Sequence, residues 1–265
     1  MRRSEYHGVV FYQFENLSRH GGLVHGVFSR RGGVSAPPFD TLNVGSTVGD
    51  DLANVLINRQ RMAEALGMRD EDMRTVWQVH GADVVVIRGR DPQEWPPPQA
   101  DGILTHEIGL PLVMRFADCV PILLYDPVQR VAGIAHAGWR GTVAGAGAAT
   151  VQTMCDAFGS RPADILAAIG PSIGPCCYEV GEEVVAQIRE VFGGREELFY
   201  AANGKGPHLD LWAANRLALE QAGVEQIEVA GICTACRKDE FFSHRAEAGR
   251  TGRFGVVIML KEEAV

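Results

Sequence analysis

LVMRFADCVPILLYDPVQRVAGIAHAGWRG, residues 112–141, holds three short apolar runs, Leu112 to Phe116, Pro121 to Tyr125 and Val131 to Ala135. They are rich in Val, Ile and Leu and are parted by turn-like polar residues, which is the pattern of buried strands. The reactive residues sit at the joints. Cys119 follows Asp118 between the first and second runs, and His136 closes the third ahead of Gly138 and Gly141. Glycines at such points allow tight backbone paths. A thiol and an imidazole are therefore offered at strand ends.

Two chemistries use that pair. In one, Cys119 is a nucleophile and His136 its base, which requires contact between them and a third group to orient the ring. In the other, both are metal ligands, and a third ligand holds zinc with one position left open. WQVH, residues 77–80, supplies that ligand as His80, at the end of a strand expected over Arg74 to Val79. The plain alternative is a buried Cys and two hydrogen-bonded His, since free Cys is often just a small buried hydrophobe.

Upstream of this stretch, residues 8–14 and 23–29 read as two strands of a hairpin with a turn at His20 to Gly22. SRRGGVSAPPFDTLNVG, residues 29–45, is too rich in Gly and Pro for regular structure; its backbone donors and two arginines, Arg30 and Arg31, either grip an anion or point at water from a solvated loop. Leu52, Val55, Leu56, Met62 and Leu66 mark one helical face between a capping Asp50 or Asp51 and Gly67. RGRDPQEWPPPQ, residues 88–99, is an exposed loop leading to Asp101, a carboxylate placed either to cap a turn or to touch substrate.

Downstream, residues 141–158 are expected to form one helix packed on the sheet, starting right behind His136. Arg140, Gly141 and that helix start then make a phosphate or oxyanion pocket, unless Arg140 merely pairs with a surface carboxylate. A strand is expected at 164–170, helices at 182–192 and 210–222, and strands at 226–232 and 254–260. Adjacent Cys176 and Cys177 are set aside, because neighbours on an extended chain point to opposite sides and do not share one tetrahedral metal. Cys233 and Cys236 have C-x-x-C spacing, but no second such pair follows and no redox-type βαβ context is evident, so a structural or regulatory role is the lesser reading.

Net charge of -8 argues against a broad nucleic-acid face, while leaving room for one local basic pocket. No apolar run approaches membrane-spanning length, and the start lacks the continuous apolar core of a signal peptide. The expectation is a cytoplasmic protein of one domain over 1–265, a monomer or small homo-oligomer, binding neither nucleic acid nor membrane. In a reducing compartment its six cysteines stay free thiols. Strands that alternate irregularly with helices suggest a mixed α/β or α+β fold, and no Rossmann or P-loop pattern competes.

WQVHGADV (77–84), ADCVPILLYDP (117–127), HAGWRG (136–141) and GPSIGPCCYEVG (170–181) resemble, in this order, the YfiH/YlmD family, which includes the human laccase-domain protein. HGVFSRRGGVS (25–35), FDTLNVG (39–45), DLWAANRLAL (210–219), ICT (232–234), FFSHR (241–245) and TGR (251–253) extend the resemblance over nearly the whole chain. It implies a layered α/β/β/α sandwich, similar to a bacterial toxin deamidase domain. It implies zinc on His80, Cys119 and His136, with copper the less favoured metal, and substrate contacts from Arg30, His244 and Arg245. Gln78, Asp118 and Arg140 complete the candidate substrate residues, the first two by orienting ligands and the third by holding phosphate. The activity implied is phosphorolysis of adenosine, inosine, guanosine and methylthioadenosine, with adenosine deamination. Three readings stand behind it: a Cys-His amidohydrolase acting on a cell-wall precursor, a copper polyphenol oxidase, and a zinc-stabilised interaction protein. The copper reading suffers from eight His with no H-x-H pair.

Overall fold

Both faces of the second and third apolar runs are covered, which is why they read as continuous hydrophobic segments rather than alternating ones. The computed structural model describes residues 1–201 and 206–262. In chain order the elements are β1 (Arg2–Tyr6), β2 (Val9–Gln13), α1 (Glu15–Ser18), β3 (Leu23–Phe28), α2 (Leu52–Ala65), β4 (Val84–Ile87), β5 (Gly102–Thr105), β6 (Leu112–Phe116), β7 (Val120–Asp126) and β8 (Val131–Ala137). There follow α3 (Trp139–Ala144), α4 (Ala146–Phe158), β9 (Leu166–Ile169), α5 (Glu182–Val191), β10 (Phe199–Ala201), β11 (Pro207–Leu209), α6 (Leu211–Gln221), β12 (Gln226–Val229) and β13 (Phe254–Leu260).

One sheet has the order β1-β2-β3-β13-β6 and the other β12-β9-β7-β8-β5-β4, with β10 and β11 paired separately. From β7 and β8, Leu123, Tyr125, Ala132 and Ile134 face inward against Met114, Phe116, Val256 and Ile258 of the first sheet. Their alternate residues, Ile122, Leu124, Val131 and Ala135, meet Met154, Val185, Ile188 and Leu219 of the helices. The far face of the first sheet, through Val113 and Val257, packs on Met62 and Ala63 of α2. Helix, sheet, sheet, helix is the result, an α+β fold of the layered kind that the resemblance implied.

Several local expectations need correction. Leu112–Phe116 and Val120–Asp126 are neighbours in sequence but lie in different sheets, so Ala117 to Cys119 is a crossing between layers. The expected long helix behind His136 is broken at Gly145, left-handed at φ 79°, into a six-residue α3 and a longer α4. An anion pocket built on the dipole of a long helix therefore loses its basis. In α2, Asp51 caps the start by accepting from the Ala53 N–H, but the buried stripe is Val55, Asn58, Met62 and Ala63, leaving Leu52 and Leu56 exposed. Asn58 replaces a hydrophobe there because its amide hydrogen-bonds Ser35, Thr41 O and Asn43 O, pinning the 29–45 loop. Residues 74–79 make only isolated bridges, at Arg74 and Trp77, and no ladder.

The 8–14 and 23–29 pair is present as antiparallel β2 and β3, with α1 in the connection. Among the described residues, no helix is long and apolar enough to cross a membrane.

Candidate active site at the crossing between the sheets

Asp118 and Cys119 sit where the chain leaves β6 in one sheet and enters β7 in the other. Asp118 makes that corner at φ 82°, a conformation uncommon outside glycine but tolerated by Asp better than by most residues. Three segments tether it. Its Oδ1 accepts from Thr234 Oγ1–H at 2.7 Å, its Oδ2 from the Arg245 N–H at 2.6 Å, and its carbonyl from the Ile173 N–H at 3.0 Å. The corner is thereby held in one shape, with the Cys119 thiol beside it.

His136 comes from β8, directly opposite Pro121 of β7. His80 comes from the loop ahead of β4, itself left-handed at φ 65°. One ligand atom from each of His80, Cys119 and His136 falls within 4.8 Å of the others. The imidazoles meet edge to face at 4.9 Å. Gly138 leaves the room for this convergence, because a Cβ there would lie 2.7 Å from Cys119 Sγ and 3.4 Å from His80 Cδ2. Exposure is graded across the trio: His136 is buried, Cys119 half-buried and His80 exposed. The cluster opens to solvent on the His80 side.

Asp101, fully buried, organises both histidines. Its Oδ1 receives the Nδ1–H of His136 at 2.7 Å and the backbone N–H of His80 at 3.0 Å, and its Oδ2 receives the Gly81 N–H at 2.6 Å. Burial would raise this carboxyl, but the bonds from His136, Gly81 and His80 prevail and hold it below the usual Asp value. With Nδ1–H committed to Asp101, the other ring nitrogen of His136 is directed to the thiol side, the arrangement that carboxylates impose on metal-binding histidines. Burial pushes the Cys119 thiol up, yet the charge and hydrogen bond of His136 and the hydrogen bond of His80 bring it down to about 6. His136 is raised to about 9 against its burial by Cys119 and Asp101. Among these residues alone, the chemistry is that of a thiolate beside an imidazolium.

The other residues expected at the site fall into different places. Gln78 spends its side-chain amide on the backbone of Arg115, donating to its carbonyl at 2.9 Å and accepting its N–H at 3.0 Å. Arg245 spans the flank, its guanidinium bonding Glu179 O at 2.8 Å and lying 5.1 Å from the centre of the Tyr178 ring. His244 is exposed on the same loop. Arg140 is exposed and lies 4.5 Å over the Trp139 ring, with no carboxylate paired to it among the described residues. Burial, then the negative charge of Cys119, push the Tyr178 hydroxyl up to about 12, while Arg245 and Arg140 pull the other way. Tyr178 thus feels the charge of both the thiol and those two arginines.

Arg30 is the exception. It is buried, with Nε–H on Asp40 O at 2.7 Å, one N–H on Lys238 O at 2.9 Å and an ion pair to Glu247 at 2.9 Å. It lines a hollow of about 370 Å³ shared with Arg31, Asp40 and Asp239, and its donors are largely committed within the protein. Glu247 in turn receives the Ser243 N–H and the Thr251 hydroxyl, so Arg30 anchors the loop that carries His244 and Arg245.

Asp101 and Arg253 are the residues a site list drawn from motifs leaves out. Burial lowers the Arg253 guanidinium, while the charges of Cys119 and Asp118 act in the opposite direction. Among the described residues its guanidinium bonds backbone carbonyls alone, Thr251 O and Gly252 O. Arg115 is likewise lowered to about 10 by burial and by nearby Arg59, without a carboxylate partner among the described residues. The strings ADG and TGR contained both signals, but nothing local in them tells a turn cap or a surface arginine from a site residue.

The residues around the thiol agree with relationships of the whole chain. The family model described as multi-copper polyphenol oxidoreductase laccase matches residues 24–261. Purine nucleoside phosphorylase YlmD of Geobacillus stearothermophilus is 42% identical over 251 residues, covering 91% of this chain and 92% of that protein. A purine nucleoside phosphorylase of Deinococcus radiodurans is 43% identical over 236 residues, 89% of this chain and 88% of its own. The crystal structure of YlmD from Geobacillus stearothermophilus superposes with a TM-score of 0.90 at 38% identity, covering 98% of both chains. Matched in sequence over most of its length and in fold over nearly all of it, the chain belongs to the YfiH/YlmD family, whose model carries the laccase description.

Proposed function

We propose that the chain is a zinc-dependent purine nucleoside phosphorylase that cleaves adenosine, inosine, guanosine and S-methyl-5′-thioadenosine and also deaminates adenosine. One observation carries the reading: a His/Cys cluster open at His80 lies near Arg140, Arg245 and Arg253, none of which forms an ion pair with a carboxylate among the described residues. The names of the relatives above support the same substrate class.

Phosphorolysis joins a phosphate oxygen to the ribose C1′ while the C1′–N9 bond breaks. The bonding pair leaves with the purine, and the proton of the phosphate goes to the base. Dianionic phosphate must be held against its own charge beside a thiolate, which is the work of Arg140, Arg245 and Arg253. His244, exposed next to Arg245, is assigned to the ribose or base. Arg30, Gln78 and Asp118 act one step back, by fixing the loop, the 76–80 segment and the corner through the bonds described above.

The trio fits zinc in donor type and convergence, with His136 already oriented by Asp101 and the His80 side open. Bound there by His80, Cys119 and His136, zinc, or copper as the alternative ion, supplies Lewis acidity at the reacting centre.

The test is the purified, metal-quantified protein on adenosine with and without phosphate. Phosphate-dependent adenine release that disappears in Cys119→Ala is expected. Arg253→Met should raise the phosphate KM by about 10-fold, the worth of one charge-assisted hydrogen bond of about 1.5 kcal/mol, and leave the adenosine KM unchanged. Stoichiometric zinc without nucleoside turnover overturns the proposal. That outcome favours a Cys-His amidohydrolase, the second reading, which the Cys119, His136 and Asp101 alignment supports. Trapping of Cys119 by a reactive amide analogue in zinc-free buffer separates the two.

A further inference from the structure

A second cluster of sulfurs lies outside the trio. Sγ atoms of Cys176, Cys177, Cys233 and Cys236 all fall within 4.8 Å of one another. Cys236 is 3.5 Å from Cys176 and 3.4 Å from Cys177, and all four are free thiols. This corrects the expectation that Cys176 and Cys177 diverge. They do not lie on an extended strand but in a turn closed by the Cys177 and Tyr178 N–H groups on Gly174 O, both at 3.0 Å, which swings the two side chains to one side.

The nest is built by two loops. One is the turn after β9, and the other is the C-x-x-C turn after β12, closed by the Arg237 N–H on Cys233 O at 3.0 Å. They are stitched together by the Ser172 N–H on Ile232 O and the Thr234 N–H on Ser172 O, at 3.2 and 3.0 Å. Gly174 gives its N–H to Cys233 Sγ at 3.3 Å. A Cβ on Gly174 would lie 2.5 Å from the Trp212 ring and 3.2 Å from Cys233 Cβ, so only glycine lets the loops approach this closely. His208 donates Nδ1–H to Pro175 O at 2.7 Å and Trp212 its Nε1–H to Ser172 Oγ at 2.6 Å, fixing the first loop from beneath.

We propose that these four cysteines form a closed, structural zinc site distinct from the trio, clamping the two loops that hold Asp118. Four thiolates around zinc at about 2.3 Å in tetrahedral geometry place their sulfurs about 3.8 Å apart, close to the spacing already present. A disulfide joins two sulfurs at about 2.05 Å and leaves the other two unpartnered in the same nest. The site lies at the surface, with Cys176 and Cys236 exposed, so the ion has an entry path. Its consequence reaches the corner, because Ile173 of the first loop and Thr234 of the second both bond Asp118.

Full-length protein grown with zinc is assayed for metal per chain, beside Cys119→Ala and a Cys233→Ala, Cys236→Ala double variant. The Cys119→Ala chain, in which the quartet is intact, should keep one tightly held zinc, and the double variant should lose one equivalent relative to the parent. Cobalt in place of zinc in Cys119→Ala should give the strong sulfur-to-metal charge transfer and visible bands of a four-thiolate tetrahedral site. Cys119→Ala protein that holds no metal, with all four thiols reacting equally fast with and without added zinc, overturns the proposal. So does a mass 2 Da below the reduced chain with no metal bound, which would mark a disulfide instead.

Discussion

The trio and the quartet use the same soft donor chemistry to different ends, and the difference lies in what surrounds the sulfur. Cys119 shares its place with two imidazoles, a buried carboxylate behind them and solvent in front of His80. The four-cysteine nest offers sulfur as its one donor type, with Cys176 and Cys236 at the surface and Cys233 buried. An unequal donor set with one side open suits reaction, whereas four equal donors leave no place for substrate. Both clusters are tied to Asp118, so the closed one steadies the open one.

The largest test of that division is loss of one sulfur from each cluster. Cys119→Ala is expected to cut phosphate-dependent turnover by about 10³-fold, the scale seen when a central charge-stabilising group is removed. Cys236→Ser should instead leave kcat within about 10-fold and lower the midpoint of thermal unfolding. Equal losses of turnover in both variants would erase the distinction.

A buried histidine elsewhere sharpens the role of the neighbours. His25 is as buried as His136, but it accepts the Phe14 N–H at 2.8 Å instead of facing an anion. Burial, and Arg2 after it, lower it from 6.5 to about 4. Between those values the unfolded chain takes up a proton that the folded chain refuses, so stability is present above about pH 6.5 and is lost as pH falls toward 4. The loss amounts to about 3 kcal/mol when complete. Urea midpoints of the parent and His25→Gln, compared from pH 7 to 4.5, should show the parent losing ground. A constant gap would mean that burial alone does not keep His25 neutral.

Asp101→Asn tests the trio more gently. It keeps the side chain's shape but removes the charge that faces His136, and metal affinity of the trio is expected to fall about 10 to 100-fold in a chelator titration. Zinc retained by the quartet should not change.

Thr234→Val is the smallest change and the most direct probe of the link between the clusters. It deletes one buried hydrogen bond to the Asp118 carboxylate, worth about 1.5 kcal/mol in a urea titration, without touching a sulfur. Unaltered stability would mean that the C-x-x-C loop and the corner are independent.

The sequence showed the strands of 112–137 plainly, because each is a short apolar run between turn residues. It did not show that β6 and β7 part into different sheets, since apolar content records burial and not the identity of the neighbour. His80, Cys119 and His136 stood out through their places at strand ends and through the motif strings, whereas Asp101 gained its meaning only when β5 was laid beside β8. The quartet was misread for a local reason, a turn taken for extended chain. β1 escaped notice because RRSEY is mostly exposed and carries no apolar face, and the short β10 and β11 pair offers too few residues for any period to emerge.

The corner at Asp118 also bears on the order of assembly. Two of its side-chain partners lie 116 and 127 residues further along the chain. Contacts of that separation close late, after the loops between them have been organised at an entropic cost. A chain with both sheets formed but undocked would hold the right residues and still lack the corner that gathers them. Competence of the site is therefore a property of the completed molecule, and an unfinished chain holds no partial version of it.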